Sequence, residues 1–209
     1  MCFSAQASLV VGVGLLGLGA VTVKRVRTRS ELPYALIPLL FGIQQLLEGM
    51  LWLSLPNDAL MLSASLTVLY LLFSNVLWPI YVPLAGLALE TVPWRRRVML
   101  GIAGLGAAVS LYLLGILLLL PVTASIVGRH IRYDFFNPYE QTTILLYVVV
   151  TCVSLLCASH RRVVVFGIAA LISEIVAYVF YTQWFISVWC FFAAVLSAIV
   201  WWQFQERHN

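Results

Sequence analysis

Amide and carboxyl side chains occur inside a stretch of sequence that is otherwise apolar, GIQQLLEGMLW. Gln44, Glu48 and Trp52 follow one another at intervals of four residues, which places them on one face of a helix. Gln45 lies beside that face. A carboxylate is costly to bury in apolar surroundings, so Glu48 requires either a polar partner or a function.

A second stretch, LISEIVAYVFY, places Glu174 and Tyr178 on one helical face. Glu48 and Glu174 each lie about seven residues, roughly 10 Å along a helix, from what we predict to be the same end of their helices. A third apolar stretch adds Tyr70, Asn75 and Trp78. We therefore expect these polar groups to lie at similar depths in one bundle.

Two interpretations of these residues remain open. In the first, the polar groups of the three stretches line an outward-facing cavity that binds a ligand, with the loop at residues 129–141 as its lid. In the second, they join helices by hydrogen bonds. The carboxyl groups favour the first interpretation, because an acid is a costly way to join helices. The amides of Gln44 and Asn75 favour the second.

The surrounding composition defines the setting of these residues. The chain has 209 residues, of which 63% are hydrophobic and 10% charged, whereas a soluble domain has about 25% charged residues. Seven apolar segments approach the roughly 20 residues that cross a bilayer. They cover about residues 4–23, 33–55, 60–90, 98–120, 142–159, 163–181 and 185–204. Pro79 and Pro83 are expected to kink the third segment.

The positions of the basic residues predict an orientation. If all seven segments cross the membrane, ten of the twelve Lys and Arg residues lie on one side, and only Arg129 and Arg132 on the other. Cytoplasmic loops carry the excess of positive charge. We therefore predict an all-α membrane protein, a single transmembrane domain over residues 1–209. It would form a seven-transmembrane-helix bundle with its N-terminus outside and its C-terminus cytoplasmic.

A short internal similarity indicates a 3+1+3 repeat. Phe41–Ile43 precedes Glu48 in the second segment, and Phe166–Ile168 precedes Glu174 in the sixth. These helices would be equivalent in two parallel three-helix units, an arrangement known in transporters. Two short matches in apolar sequence also arise by chance.

Several kinds of chemistry are excluded by residue type. The one lysine, Lys24, follows the first segment, so no retinal Schiff base is expected. His130, His160 and His208 lie outside the apolar segments, so neither a bis-His haem nor an intramembrane histidine zinc site is expected. The basic residues form short runs rather than one stripe, which argues against nucleic acid.

Cys2 is a candidate for modification or metal binding. Removal of Met1 would expose a thiol and an amine at the outer face. The alternative is an inert residue, since reactivity requires exposure and a lowered pKa. Cys152, Cys157 and Cys190 lie in apolar runs and are expected to be small core residues.

The opening Met1–Ala5, MCFSA, resembles the start of an uncharacterised family of bacterial multi-pass membrane proteins. The stretches ELPYALIPLLFGIQQLLEGMLW and YLLFSNVLWPIYVPLAGLALE are similar to the same family. The resemblance implies a location in the bacterial inner membrane, implies no activity, and directs attention to Cys2, Gln45, Glu48 and Trp78.

Three functional hypotheses follow. The first is a transporter-like or sensor-like protein that binds or transports a small molecule or ion through the outward-facing polar cavity. The second is an accessory or scaffold subunit of a larger membrane complex, in contact with membrane lipids and with a homo-oligomeric or other protein partner. The third, a lipid-modifying enzyme, is the least supported, because no nucleophile–base pair can be identified from spacing.

Overall fold

The computed structural model describes residues 4–57 and 59–205. Apart from one hairpin, the regular structure of this part of the chain is helical. The α-helices in chain order are α1 (Ala5–Lys24), α2 (Leu32–Ala35), α3 (Ile37–Ser54), α4 (Leu60–Leu71), α5 (Trp78–Leu89), α6 (Pro93–Leu119), α7 (Glu140–Val148), α8 (Ser154–Leu156), α9 (Arg161–Phe180), α10 (Phe185–Leu196) and α11 (Ala198–Gln203). Several of these run on into one another through short π or 3₁₀ turns.

Within residues 4–57 and 59–205, six continuous helices are long and apolar enough to cross a membrane. They are Ala5–Lys24, Leu32–Asn57, Leu60–Leu89, Pro93–Leu119, Arg161–Phe180 and Thr182–Gln203. A seventh apolar helix, Glu140–Leu156, is shorter. The prediction of a helical membrane protein is confirmed, whereas the count of seven spans and their orientation stay predictions. Large apolar side chains are exposed along these helices, as expected for surfaces that face lipid.

Basic residues gather at one end of the bundle, which we call the basic end. There Arg25 and Arg162 lie over the rings of Trp201 and Trp202. The Arg95 guanidinium donates to the carbonyl of Ala158 at 2.7 Å, which joins α6 to the turn before α9. Stacking of cations on these aromatic rings fits a membrane interface, where both residue types are common.

The opposite end of the bundle carries a β-hairpin where the sequence predicted a loop. Strand β1 (Val122–Val127) pairs antiparallel with β2 (His130–Phe135), and Gly128 makes the turn with a φ of 66°. The sequence interpretation of residues 129–141 as a loop missed the hairpin, in which Ile131 and Tyr133 of β2 are buried while Asp134 is exposed. We call this the hairpin end.

The third span is distorted near its first proline, as expected. A π-helical turn covers Leu72–Leu77 and ends directly before Trp78 and Pro79. Two backbone carbonyls of this turn are bound by side chains of neighbouring spans. Ser110 donates to the carbonyl of Val76 at 2.7 Å, and Tyr147 donates to that of Ser74. Such substitutes for the helical hydrogen bond are what allow proline inside a membrane span.

The first two spans pack closely through glycines. A Cβ atom at Gly12 would lie 3.1 Å from the carbonyl oxygen of Gly42, and one at Gly42 would lie 2.9 Å from the backbone nitrogen of Leu16. Small residues at such crossings bring helix backbones together in membranes. The α1–α3 contact therefore fixes the helix that carries Glu48.

At the basic end, the Glu90 carboxylate is held by backbone amides and a hydroxyl group. Its carboxylate accepts hydrogen bonds from the amides of Thr91, Val92 and Ser159 at 2.7–2.9 Å, and from the Ser159 hydroxyl at 2.8 Å. Arg96 binds the backbone carbonyl of Glu90 instead. Glu90 thus ties the end of α5 to the turn before α9.

Candidate functional site

The polar face of α3 points into the core of the bundle. Gln44, Gln45 and Glu48 are each 0% exposed. The Ser187 hydroxyl of α10 donates to Glu48 Oε1 at 2.6 Å. Tyr70 of α4 is also a close neighbour of the Glu48 carboxyl. Spans two, three and seven of the predicted seven therefore meet around this acid.

Gln44 is held by the third span. The indole Nε1 of Trp78 donates to Gln44 Oε1 at 2.7 Å, and the Trp78 ring stacks on Phe41 at 3.9 Å between centroids. Both side chains are fully buried. This contact joins α3 to the start of α5, directly after the π-helical turn.

Glu174 lies in a second buried group. The Cys152 thiol donates to Glu174 Oε2 at 3.2 Å, and Cys152 itself belongs to a π-helical turn, Val149–Val153, that follows α7. Tyr147 lies one helical turn earlier, close enough to Glu174 for an electrostatic interaction. Single π turns within helices are frequent at functional sites.

Cys190 connects the two carboxyl groups. It is fully buried on α10 and lies within electrostatic range of both Glu48 and Glu174. Gln44 and Tyr70 are also among its neighbours. We call the set Gln44, Gln45, Glu48, Tyr70, Glu174 and Cys190 the buried polar cluster.

Several polar atoms of the cluster have no hydrogen-bond partner among the described residues. They are Gln44 Nε2, both side-chain polar atoms of Gln45, Glu48 Oε2 and Glu174 Oε1. Asn75 Nδ2, on the π-helical turn, also has no hydrogen-bond partner among the described residues. Buried polar groups are rarely left unpaired, so this cluster is suited to hold water or a small polar guest.

A cavity of about 550 Å³ opens at the hairpin end. Its walls are aromatic and polar, and they come from β2, the segment that follows it, α7 and the turn between α9 and α10. Asn75 and Tyr147 line it and are themselves almost fully buried. Because Tyr147 also neighbours Glu174, the cavity adjoins the buried polar cluster.

The hairpin covers the cluster at this end. The Tyr133 ring stacks on Tyr70 at 4.7 Å between centroids, and the His130 ring stacks on Trp184 at 4.7 Å. Burial lowers the pKa of His130, so the neutral imidazole is favoured in the docked hairpin. These stacks place β2 directly above Tyr70, a neighbour of Glu48.

The residues predicted from the sequence are divided between two places. Buried in or beside the cluster are Gln44, Gln45, Glu48, Tyr70, Trp78 and Glu174. Asn75 and Tyr178 line the cavity instead. Trp52 is half-buried farther along α3. Cys2 lies outside the described residues.

The sequence interpretation missed five residues of the site. They are Tyr133, Tyr147, Cys152, Ser187 and Cys190, which were not distinguished from loop or core residues. For Tyr147 a signal exists, since Thr143, Tyr147 and Thr151 recur at intervals of four and form a polar stripe. Ser187 and Cys190 give no such signal, because small residues occur throughout apolar helices.

The contact between Trp78 and Gln44 leads to a first prediction. Trp78→Phe keeps the stack on Phe41 but leaves Gln44 Oε1 unpaired, so we expect the free energy of unfolding to fall by about 2 kcal/mol. The double variant Trp78→Phe/Gln44→Leu should recover part of this loss, because both partners are then apolar. Unfolding in mixed detergent micelles measures both effects.

Trp94→Phe is the matched control, since Trp94 is 61% exposed at the basic end. We expect its effect to be small. Equal losses for Trp78→Phe and Trp94→Phe would contradict a structural role for the buried hydrogen bond.

The helices and the buried polar cluster define a helical membrane protein with ionisable groups in its core. The chain matches a family of unknown function, DUF6629, over residues 1–209, and it belongs to that family. No curated protein and no solved structure matches it. Among residues 4–57 and 59–205, no three His, Cys, Asp or Glu side chains are grouped so as to hold a metal ion.

Proposed function

We propose that this protein binds a small organic cation in the cavity at the hairpin end, as a transporter or sensor of the bacterial inner membrane. The observation that carries the proposal is the position of the cavity beside Tyr147 and Tyr178, the first a neighbour of the buried Glu174 and the second one helical turn after it on α9. Ionisable residues within membrane spans commonly mark the pathways of ions and substrates.

The lining of the cavity favours a cation. Its charged side chains are Arg132, Asp134 and Glu140, a net charge of −1. Arg132 is already paired with Asp134 at 2.9 Å, which leaves Glu140 available to a ligand. Aromatic rings also line the cavity, among them Tyr178 and Trp184. Aromatic faces attract substituted ammonium groups, most strongly where water is excluded.

The proposed orientation has seven spans, with the hairpin end outside and the basic end in the cytoplasm. The excess of Lys and Arg at the basic end supports it. The glycines of the two FGI motifs support the proposed 3+1+3 repeat. Gly42 packs on α1, and Gly167 packs on Leu155 of α8, so each meets the span that precedes it.

Choline and dimethylbutanol, its uncharged carbon analogue, provide the test. We expect the purified protein to bind choline at least about tenfold more tightly, since cation–π contacts contribute about 2 kcal/mol at desolvated sites. Tyr178→Ala should weaken choline binding about fivefold for the same reason. Isothermal titration in detergent micelles measures both.

Phe136→Ala is the control, because Phe136 is 67% exposed at the same end and does not line the cavity. Its choline affinity should equal that of the unmodified protein. Equal binding of choline and dimethylbutanol, or no binding of either, would contradict the proposal. A stoichiometric protein partner recovered with a chain that binds neither would favour the accessory-subunit hypothesis.

A further inference from the structure

We infer that Glu48 and Glu174 form a pair of proton-binding sites inside the bundle, and that Glu174 exchanges its proton with the cavity when a cation binds there. The exchange rests on the proposed cation site, whereas the two proton sites do not. The inference therefore adds a second ligand, the proton, and a coupling between the two ligands.

The side chains around the two acids supply no cationic partner among the described residues. The groups that face Glu48 are Ser187, Tyr70 and Gln45, and those that face Glu174 are Cys152 and Tyr147. Cys190 lies within electrostatic range of both acids. No lysine, arginine or histidine of the described residues is among these neighbours, and α1 contributes no charge between Ala5 and Val23. The positive charge that acts on Glu48 is that of the N-terminal amine, which lies outside the described residues.

An isolated carboxylate is costly in a membrane interior, so it is neutralised by a counter-ion or a proton. Neutralisation by a metal ion would need several oxygen ligands around it. The oxygen atoms Glu48 Oε2 and Glu174 Oε1 have no partner in the part of the chain that the structure describes. Each is free to carry the hydrogen of a carboxylic acid.

Of the two acids, Glu174 is the one that can exchange a proton with the cavity. Tyr147 lines the cavity and neighbours Glu174, whereas Glu48 neighbours Tyr70, on which Tyr133 of the hairpin stacks. A water molecule in the cavity can accept the proton of Glu174, leaving a carboxylate and a hydronium ion. The negative charge that remains attracts a cation into the cavity, and hydronium leaves to the outer medium.

Infrared spectroscopy of the full-length protein at neutral pH tests the two proton sites without any added solute. We expect C=O stretching bands of protonated carboxyl groups, one lost in Glu48→Gln and another in Glu174→Gln. Glu140→Gln, at an exposed position, should keep both bands. Spectra in which neither substitution removes a band would overturn the inference.

Carbon-13 labelling of the glutamates serves if either variant fails to fold. Carboxyl chemical shifts of the unmodified protein should then show two protonated acids among its six glutamates. Six ionised glutamates would overturn the inference.

Addition of choline tests the coupling. We expect it to weaken the Glu174 band and to release protons into a weakly buffered medium. Choline that binds and leaves the Glu174 band unchanged would refute the coupling. Two protonated acids in a protein that binds no choline would refute the proposed cation site and leave the proton sites established.

Discussion

Gly106→Ala is expected to lower the free energy of unfolding by about 3 kcal/mol, the upper range for overpacking a close contact. A Cβ atom at Gly106 of α6 would collide with the backbone carbonyl oxygen of Pro79 at the start of α5. Pro83 lies four residues after Pro79 and has no N–H to donate to that carbonyl. Gly106 of α6 therefore packs against the Pro79 carbonyl of α5, which accepts no hydrogen bond from Pro83 within its own helix.

Gly104→Ala is the matched control for this prediction. Gly104 lies two residues away on the same helix, and a Cβ atom there would have nothing within 4 Å. We expect Gly104→Ala to be neutral or slightly stabilising, because alanine favours helix over glycine. Unfolding of both variants in mixed micelles provides the comparison. Similar stabilities for the two would contradict the close α5–α6 packing.

The effect of Gly106→Ala should extend from the α5–α6 contact to the cavity. Displacement of α6 from α5 would also remove the hydrogen bond from Ser110 to the carbonyl of Val76. That carbonyl belongs to the π-helical turn that presents Asn75 to the cavity and precedes Trp78. We therefore expect Gly106→Ala to weaken choline binding as well, although Gly106 does not line the cavity.

Helices were the most predictable part of this molecule. Apolar runs of about 20 residues have few other uses, so the spans were located from hydropathy to within a few residues at most ends. The largest error lies at the start of α6. That helix begins at Pro93 rather than near Val98, because proline is favoured in the first turn and Arg95–Arg97 continue the helix beyond the apolar region.

The hairpin was missed because its signals are weak. Gly128 marks a turn, but the flanking residues mix aromatic, charged and small side chains with little alternation. Its position is decided by tertiary contacts, chiefly the stacks of Tyr133 on Tyr70 and His130 on Trp184. Partners that are 50 or more residues apart in sequence give no local pattern.

The acidic residues of the candidate site were predictable from the sequence, but their hydrogen-bond partners were not. An acidic residue within an apolar run is unusual, so Glu48 and Glu174 were identified from their positions in the sequence. Their partners Ser187 and Cys152 were not, because serine and cysteine are common in membrane helices whether or not they bind anything. The division of the predicted residues between a buried cluster and an open cavity also depends on where the hairpin docks. Hydropathy contains no information on that point.

The Glu90 carboxylate accepts four hydrogen bonds while only 1% of the residue is exposed. Glu90→Ala would leave the amides of Thr91, Val92 and Ser159 without an acceptor. Hydrogen bonds to a charged group contribute about 1.5–3 kcal/mol each, and such losses are not additive. Water can replace the carboxylate at the exposed Thr91 and Ser159, so we expect a total of about 3 kcal/mol. Glu140→Ala, at an exposed position, should change stability little.

The same carboxylate predicts a pH dependence. Burial by itself would raise the pKa of Glu90, but the hydrogen bonds from Val92, Ser159 and Thr91 outweigh it and lower the pKa below its ordinary value of 4.5. A carboxyl with a lowered pKa in the folded state stabilises the fold fully above pH 4.5. That contribution is lost as the pH falls through the lower, folded value. Unfolding free energies measured from neutral pH downward should therefore decline below pH 4.5.

The part of the decline that is due to Glu90 should be missing in Glu90→Ala and present in Glu140→Ala. If the Glu90→Ala curve runs parallel to that of the unmodified protein, Glu90 does not hold the α5 end to the turn before α9 by its charge.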